Sequence, residues 1–242
     1  MGIKMVQVEK INVSYQDGHV ALKQVSFQIK EGETVGLIGS NGAGKSTLLK
    51  SMVGILLPAE GSITVDGLTV TKQNLRKIRE SIGVVFQNPE DQLFMSNVYD
   101  DIAFGLRNMG MDEMKISSRI TDTMRTLGIE RLMYQNSSKL SGGEQRLTAI
   151  ATVMVMEPKL VLFDEPTSFL DPKARRKLIG LLKEYPVTKL IATHDLDMAL
   201  EVCDRIIILK DSQIIQQGNA RDLLTDKEIL ESAELELPFC LQ

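Results

Sequence analysis

The chain has no tryptophan, only two cysteines and two histidines, and seven prolines among its 242 residues. Cys203 and Cys240 stand far apart, which argues against a disulfide framework and against a cysteine-built zinc site. Long apolar runs are missing too: the longest, Ala149 to Met156, is far too short to cross a bilayer. Net charge is −4, and lysines and arginines do not gather into extended basic blocks, so nucleic acid is not an expected partner. The N-terminus carries Lys4 and Glu9 on a strand-like pattern rather than a charged leader with an apolar centre, so no signal peptide is expected and a reducing cytosolic location is the default. Internal repeats and low-complexity linkers are also absent. What remains is ordinary for a globular protein: 43% hydrophobic and 25% charged residues, with a length that suits one domain carrying a subdomain.

The most informative stretch is Gly39-Ser40-Asn41-Gly42-Ala43-Gly44-Lys45-Ser46-Thr47. It matches G-x-x-x-x-G-K-S/T, the phosphate-binding P-loop. An apolar, strand-like segment, Thr34 to Ile38, precedes it, and a helix-like segment, Leu48 to Val53, follows. Glycines at 39, 42 and 44 let successive backbone N–H groups point at phosphate oxygens, and the helix start adds partial positive charge. In that frame Lys45 reaches the β- and γ-phosphates, and the Ser46 hydroxyl holds Mg²⁺. A nucleotide is the expected ligand.

Around this motif the pattern divides in three. Residues 4–30 alternate with period two, with a slip near Lys10-Ile11 that reads as a bulge, and Ser62 to Val70 reads as a hairpin turning at Asp66-Gly67. From about 97 to 139 the spacing turns helical, as Ile116, Ile120 and Leu127 show, with Gly105, Gly110 and Gly128 as punctuation. Beyond 142 helix and strand alternate: helices near 142–156, 173–184 and 196–202, strands at 160–163 and 189–193. That alternation implies a largely parallel sheet covered by helices on both faces. A second hairpin turns at Lys210-Asp211-Ser212, and Thr225-x-x-Glu228 resembles a capping box opening a last short helix. The expected fold is α/β: a P-loop NTPase core with a mainly parallel sheet, an N-terminal antiparallel β subdomain and an inserted helical subdomain.

Two further segments carry chemistry. Leu160-Val161-Leu162-Phe163-Asp164-Glu165 is an apolar strand delivering two carboxylates at its C-terminal end, where ligands sit in open α/β sheets. Asp164 is placed to hold Mg²⁺, and Glu165 to polarise a water for attack on the γ-phosphate. In Leu140-Ser141-Gly142-Gly143-Glu144-Gln145, Ser141 and Glu144 form a capping box, and two glycines leave the first-turn N–H groups uncovered, as an anion site requires. A second anion site beside a single P-loop is explained when each serves the same triphosphate from a different subunit.

Leu140 to Gln145 resembles the signature motif of the ABC ATPases, and the family's other motifs follow in order from about residue 4 to 218. The resemblance implies that Tyr15 stacks on adenine, that Gln87 contacts Mg²⁺ and the attacking water, and that Ser168-Phe169-Leu170-Asp171 is the D-loop. It also implies that His194, after strand Leu190 to Thr193, contacts the γ-phosphate. On this reading residues 1–242 form one ATPase domain with a helical insert at about 97–156 and a short C-terminal extension at about 219–242. The implied catalytic residues are Glu165, His194 and Gln87. Residues 39–47, Tyr15, Ser141, Gly142, Gly143 and Glu144 would bind ATP, and Ser46, Gln87 and Asp164 would bind Mg²⁺. Two departures stand out: Leu147 where the family usually has arginine, with Arg146 beside it, and Phe169 where the D-loop usually has a small residue.

Within that family, Val85 to Phe94, Asp101 to Leu106 and Leu235 to Pro238 resemble energy-coupling-factor ATPases, which serve cobalt, nickel and vitamin import. That resemblance implies a second ATPase subunit, identical or not. It also implies membrane subunits docking near residues 87–110, and a peripheral location on the cytoplasmic face of the membrane. A conventional ABC importer ATPase and a soluble ABC ATPase share the chemical motifs and stay open as alternatives. The short stretch between Gln87 and Ser141 leaves no room for the long insertions of DNA-repair members.

Overall fold

The computed structural model describes residues 4–242. Two β-rich strands, β1 (Lys4–Ser14) and β2 (Val20–Lys30), pair antiparallel, and β3 (Thr34–Ile38) leads into α1 (Lys45–Met52). Then come β4 (Glu60–Val65), β5 (Leu68–Thr69), α2 (Leu75–Ser81) and β6 (Ile82–Val85). The helical stretch holds α3 (Val98–Asn108), α4 (Glu113–Leu127) and α5 (Gly142–Met154). The chain continues through β7 (Leu160–Asp164), α6 (Pro172–Glu184), β8 (Thr188–Ala192), α7 (Leu196–Val202), β9 (Arg205–Lys210), β10 (Gln213–Asn219), α8 (Ala220–Leu224) and α9 (Lys227–Ser232).

Two sheets result. One is antiparallel and four-stranded, in the order β2-β1-β4-β5; the other has six strands in the order β10-β9-β3-β8-β7-β6, parallel except for β10 at its edge. The period-two pattern of the first 30 residues has its physical cause here: Val6, Val8, Ile11 and Val13 face inward and are buried. The slip at Lys10 is a bulge, with Lys10 at φ 45° and a register shift between Val8 and Ile11.

Strands of the parallel sheet are apolar on both faces because each face meets its own core. Leu160 and Leu162 of β7 join the cluster between the two sheets, with Val35, Leu37, Leu48 and Ile63. Val161 and Phe163 join the cluster beneath the helices, with Ile102, Ile120, Ile150 and Leu178. A parallel sheet buried on both sides is the environment that uninterrupted apolar strands require.

The helices follow their caps. Asn97 accepts from the N–H of Asp100 at the start of α3, and Asp112 from that of Met114 at the start of α4. Ile116, Ile120, Met124 and Leu127 make one buried stripe on α4, which stops at left-handed Gly128. Two expectations need correction. Gly105 does not punctuate a helix but lies inside α3, where a Cβ would meet Met156 Sδ at 2.5 Å. The last helix opens at Asp226, whose carboxylate accepts from the N–H of Ile229, whereas Thr225 Oγ1 donates back to Arg221 O and closes α8. A carboxylate outcompetes a hydroxyl whose own neighbours offer carbonyls.

Candidate nucleotide site

The loop after β3 is shaped by contacts that admit no side chain. A Cβ on Gly39 would meet Leu209 O at 2.2 Å, and Gly44, at φ 107°, would bring one within 2.5 Å of Ala21 O. Both glycines are therefore fixed by close backbone approach. Gly44 caps α1 without any side-chain acceptor, so the helix's first N–H groups stay available to an anion.

One cleft of about 710 Å³ gathers Tyr15, residues 39–47, Gln87, Asp164, Glu165 and His194. It is of a size that suits a cofactor-scale ligand. Lys45 is buried, and its Nζ donates to Gly39 O at 2.7 Å and lies 3.9 Å from Glu165 Oε1. Burial pushes the Lys45 pKa down, while Glu165 and Asp164 oppose the shift. Ser46 Oγ stands 3.2 Å from Asp164 Oδ1, joining the helix start to the end of β7. Burial raises the Asp164 pKa, with the Ser46 hydrogen bond acting the other way. Tyr15 hydroxyl meets Thr47 Oγ1 at 2.7 Å, and its ring stacks against His19 with centroids 6.3 Å apart. His194 is set beside Glu165 with Nδ1 2.8 Å from Oε2.

The signature segment lies elsewhere. Ser141 accepts from Glu144 N–H, and Glu144 accepts in return from the Ser141 N–H, completing the capping box at the start of α5. None of Ser141, Gly142 and Gly143 lines the cleft that holds the P-loop; Gly142 borders a separate hollow with Asn88, Gln145 and Phe169. The Glu144 carboxylate is engaged by Ser141 and by Arg131 at 2.5 Å, which holds the cap. Of the two departures, Leu147 is buried in the helical core and Phe169 is 84% exposed at φ 63°.

Sequence reasoning missed several residues at or behind this cleft. His19, Ala21 and Leu235 line it, the last arriving from the C-terminal segment. Arg146 and Gln92 do not line it but hold the loop that carries Gln87, through bonds spanning some sixty positions of sequence.

A P-loop, a strand-end Asp-Glu pair and a capped Ser-Gly-Gly helix start thus occur together on one α/β frame, and the family model for the ABC transporter matches residues 22–168. The chain belongs to the ABC transporter family. This ABC ATPase is 40% identical over 240 residues to the energy-coupling factor transporter ATP-binding protein EcfA2 of Clostridium perfringens, with 97% of this chain and 84% of that protein covered. Among solved structures it resembles cbiO1 from Clostridium perfringens, described as part of the ABC transporter complex cbiONQ. That match has a TM-score of 0.85 at 40% identity, over 95% of this chain and 94% of the other. It also resembles the ATP-binding cassette MJ0796, solved as a dimer in a post-hydrolysis state with ADP and Pi. There the TM-score is 0.81 at 31% identity, over 90% and 99% of the two chains.

Membership makes the ABC ATPase an ATP-hydrolysing enzyme that works with ATP and Mg²⁺. The cleft fits that cation: the Ser46 hydroxyl, the Asp164 carboxylate and the Gln87 amide oxygen are hard oxygen donors bordering the same space. Mg²⁺ takes few protein ligands and completes its shell with phosphate oxygens and water.

Proposed function

We propose that this ABC ATPase pairs with a second ATPase subunit, identical or not, around two Mg-ATP. Each ATP would sit between one subunit's residues 39–47 and the other's Ser141, Gly142 and Gly143. The observation that carries this reading is the separation within one chain: a capped helix start with bare N–H groups lies outside the cleft of its own P-loop. A donor surface of this kind suits a phosphate brought by another copy. The dimeric structure of MJ0796, bound to ADP and Pi, supports pairing.

In the mechanism, Lys45 and the N–H groups of the P-loop bind and orient the β- and γ-phosphates. Ser46, Asp164 and Gln87 would hold Mg²⁺, which would supply neutralisation of the phosphate charge. Glu165 accepts a proton from the attacking water, His194 orients Glu165 and faces the γ-phosphate, and Tyr15 offers its ring to adenine. ATP favours the closed pair because only there do both sets of donors engage it, and hydrolysis releases the pair.

The pairing powers import through separate membrane subunits of an energy-coupling-factor system for a metal ion such as cobalt or nickel, or for a vitamin. Residues 1–242 act as one ATPase domain, with the helical insert at about 97–156 and the C-terminal extension at about 219–242. Among the described residues no helix is long and apolar enough to cross a membrane. In this proposal the protein works on the cytoplasmic face of the membrane, held by partners near residues 87–110. Phe94, 63% exposed, packs edge-on against Phe104 with centroids 5.0 Å apart, and Asp101 holds its loop by accepting from the N–H groups of Phe94 and Met95. A rigidly held aromatic pair suits the apolar face of a partner helix. Identity to EcfA2 and likeness to cbiO1 support this class of transporter.

The test is Glu165→Gln. The variant is expected to bind ATP, scarcely hydrolyse it and run as an ATP-dependent dimer on size exclusion. Wild-type turnover in that variant would remove Glu165 from its role. Affinity purification from detergent-solubilised membranes should bring down integral membrane proteins, and their absence would favour a soluble ATPase.

A further inference from the structure

Arg146 is an arginine where nothing acidic receives it. It is 1% exposed on α5, one position ahead of the site where an arginine was expected. Its two terminal nitrogens donate to backbone carbonyls, one to Phe86 O and the other to Gln87 O, each at 2.6 Å. Its Nε is buried with no partner. Burial pushes its pKa down to about 10, opposed only by the charge of Asp164. A buried guanidinium without a carboxylate is costly, and an apolar side chain would pack the same space with less penalty. The geometry therefore selects for what only this fork does: it grips two successive carbonyls at once.

A second side chain completes the grip. Gln92 accepts from the N–H of Phe86 and donates to Ala149 O and Thr152 Oγ1, both on α5. Phe86 is thus held at its N–H and at its carbonyl, and the next residue is Gln87, which lines the nucleotide cleft. The same helix begins at Gly142, directly after Ser141.

We propose that Arg146 is a positioning residue that fastens the loop of Gln87 to α5, so that Gln87 moves with the helix whose start is Ser141-Gly142-Gly143. Any tilt of α5 is then conveyed to the cleft of the same chain through two carbonyls. The inference rests on the reading that Gln87 and the start of α5 serve two different ATP molecules, and it makes Arg146 the link between them. Arg146 does not line the nucleotide cleft.

The experiment compares the full-length protein with Arg146→Ala and Arg146→Lys, using hydrogen–deuterium exchange, ATP affinity and steady-state turnover. Arg146→Ala should raise exchange across residues 86–92 at least tenfold and lower kcat at least tenfold. The Kd for ATP should stay within threefold, because no P-loop donor is altered. Arg146→Lys keeps the charge and one strong donor, and should recover part of both the protection and kcat. It also decides the matter if the alanine variant does not fold. Wild-type kcat in a folded Arg146→Lys whose 86–92 loop exchanges freely would overturn the proposal, as would unchanged exchange in both variants. A wild-type protein that turns over ATP but never pairs counts against the dimer reading instead, and leaves the exchange result to judge Arg146.

Discussion

His194 holds Glu165 at two points: its Nδ1 lies 2.8 Å from Oε2, and its backbone N–H donates to the same oxygen at 3.2 Å. Glu165 itself sits at φ 47°, with its own N–H donating to Ala192 O at 2.8 Å. A non-glycine residue in the left-handed region is held there at a cost, usually where its side chain must point in one direction. The other Glu165 oxygen then faces Lys45 and the P-loop.

Replacing His194 by Ala should leave Glu165 Oε2 only the backbone N–H of its two contacts and so loosen its direction. Turnover is expected to fall on the order of 10²-fold, in line with the loss of an oriented acid–base group. ATP binding should change little, since the P-loop is untouched. Stopped-flow or coupled-enzyme assays beside an ATP titration separate the two; equal loss of kcat and affinity would contradict a purely orienting role.

Lys45→Ala removes the one buried cation in direct reach of the loop carbonyls and the phosphates. Charge-assisted hydrogen bonds are worth about 1.5–3 kcal/mol each, so ATP affinity should drop on the order of 10- to 100-fold. Isothermal titration with ATP checks it, and unchanged affinity would contradict the placement.

The strand and helix frame of this cleft was legible in the sequence because local physics dictates it. The run Thr34 to Ile38 is apolar on both faces, the glycines at 39 and 44 have no room for a Cβ, and Asp164-Glu165 ends another buried strand. The Asp66-Gly67 and Asp211-Ser212 turns announced their hairpins, and positive φ at Asp66, Gly67, Asp211 and Ser212 gives the reason. What stayed hidden depends on distant partners. Nothing local announces that Arg146 crosses some sixty positions to seize Phe86 and Gln87, or that Gln92, close to Phe86 in sequence, reaches as far to Ala149 and Thr152 on α5. Leu235 reaches the cleft only because the C-terminal segment folds back, with the N–H groups of Phe239 and Cys240 donating to Asp197. At Thr225 a sound pattern yielded to a stronger neighbour, Asp226.

Acid stability should depend on Asp195. Burial alone would raise its pKa, but hydrogen bonds from Arg175 at 2.6 and 2.7 Å, from the Met198 N–H and from Thr167 lower it below the ordinary aspartate value. A carboxyl depressed in the folded state contributes stability that is fully present above its unfolded pKa and fades as pH falls through the folded one. Arg175→Met should cost about 1–2 kcal/mol at neutral pH, given that the pair is partly exposed, and should flatten the acid limb of a urea-midpoint against pH curve. An unaltered limb would show that Asp195 draws its shift from elsewhere.

Thiol labelling offers a check on the C-terminal segment. Cys203 is buried and its thiol is pushed up to about 12, so it should resist iodoacetamide in the folded protein. Cys240 is exposed, with its thiol raised by the hydrogen bond and charge of Asp197, so it should react alone and slowly. Mass spectrometry should find one label on the native chain and two in denaturant, and Asp197→Asn should quicken the first. Native labelling of Cys203 would mean that β9 and α7 separate.

The alternation along β7 has a bearing on how such a protein diversifies. Leu160 and Leu162 belong to one interior, Val161 and Phe163 to another, and the strand itself is the partition. Substitutions on one side of the strand therefore meet a different set of neighbours from those on the other. A lineage is thereby free to repack one interior while the other keeps its own fit.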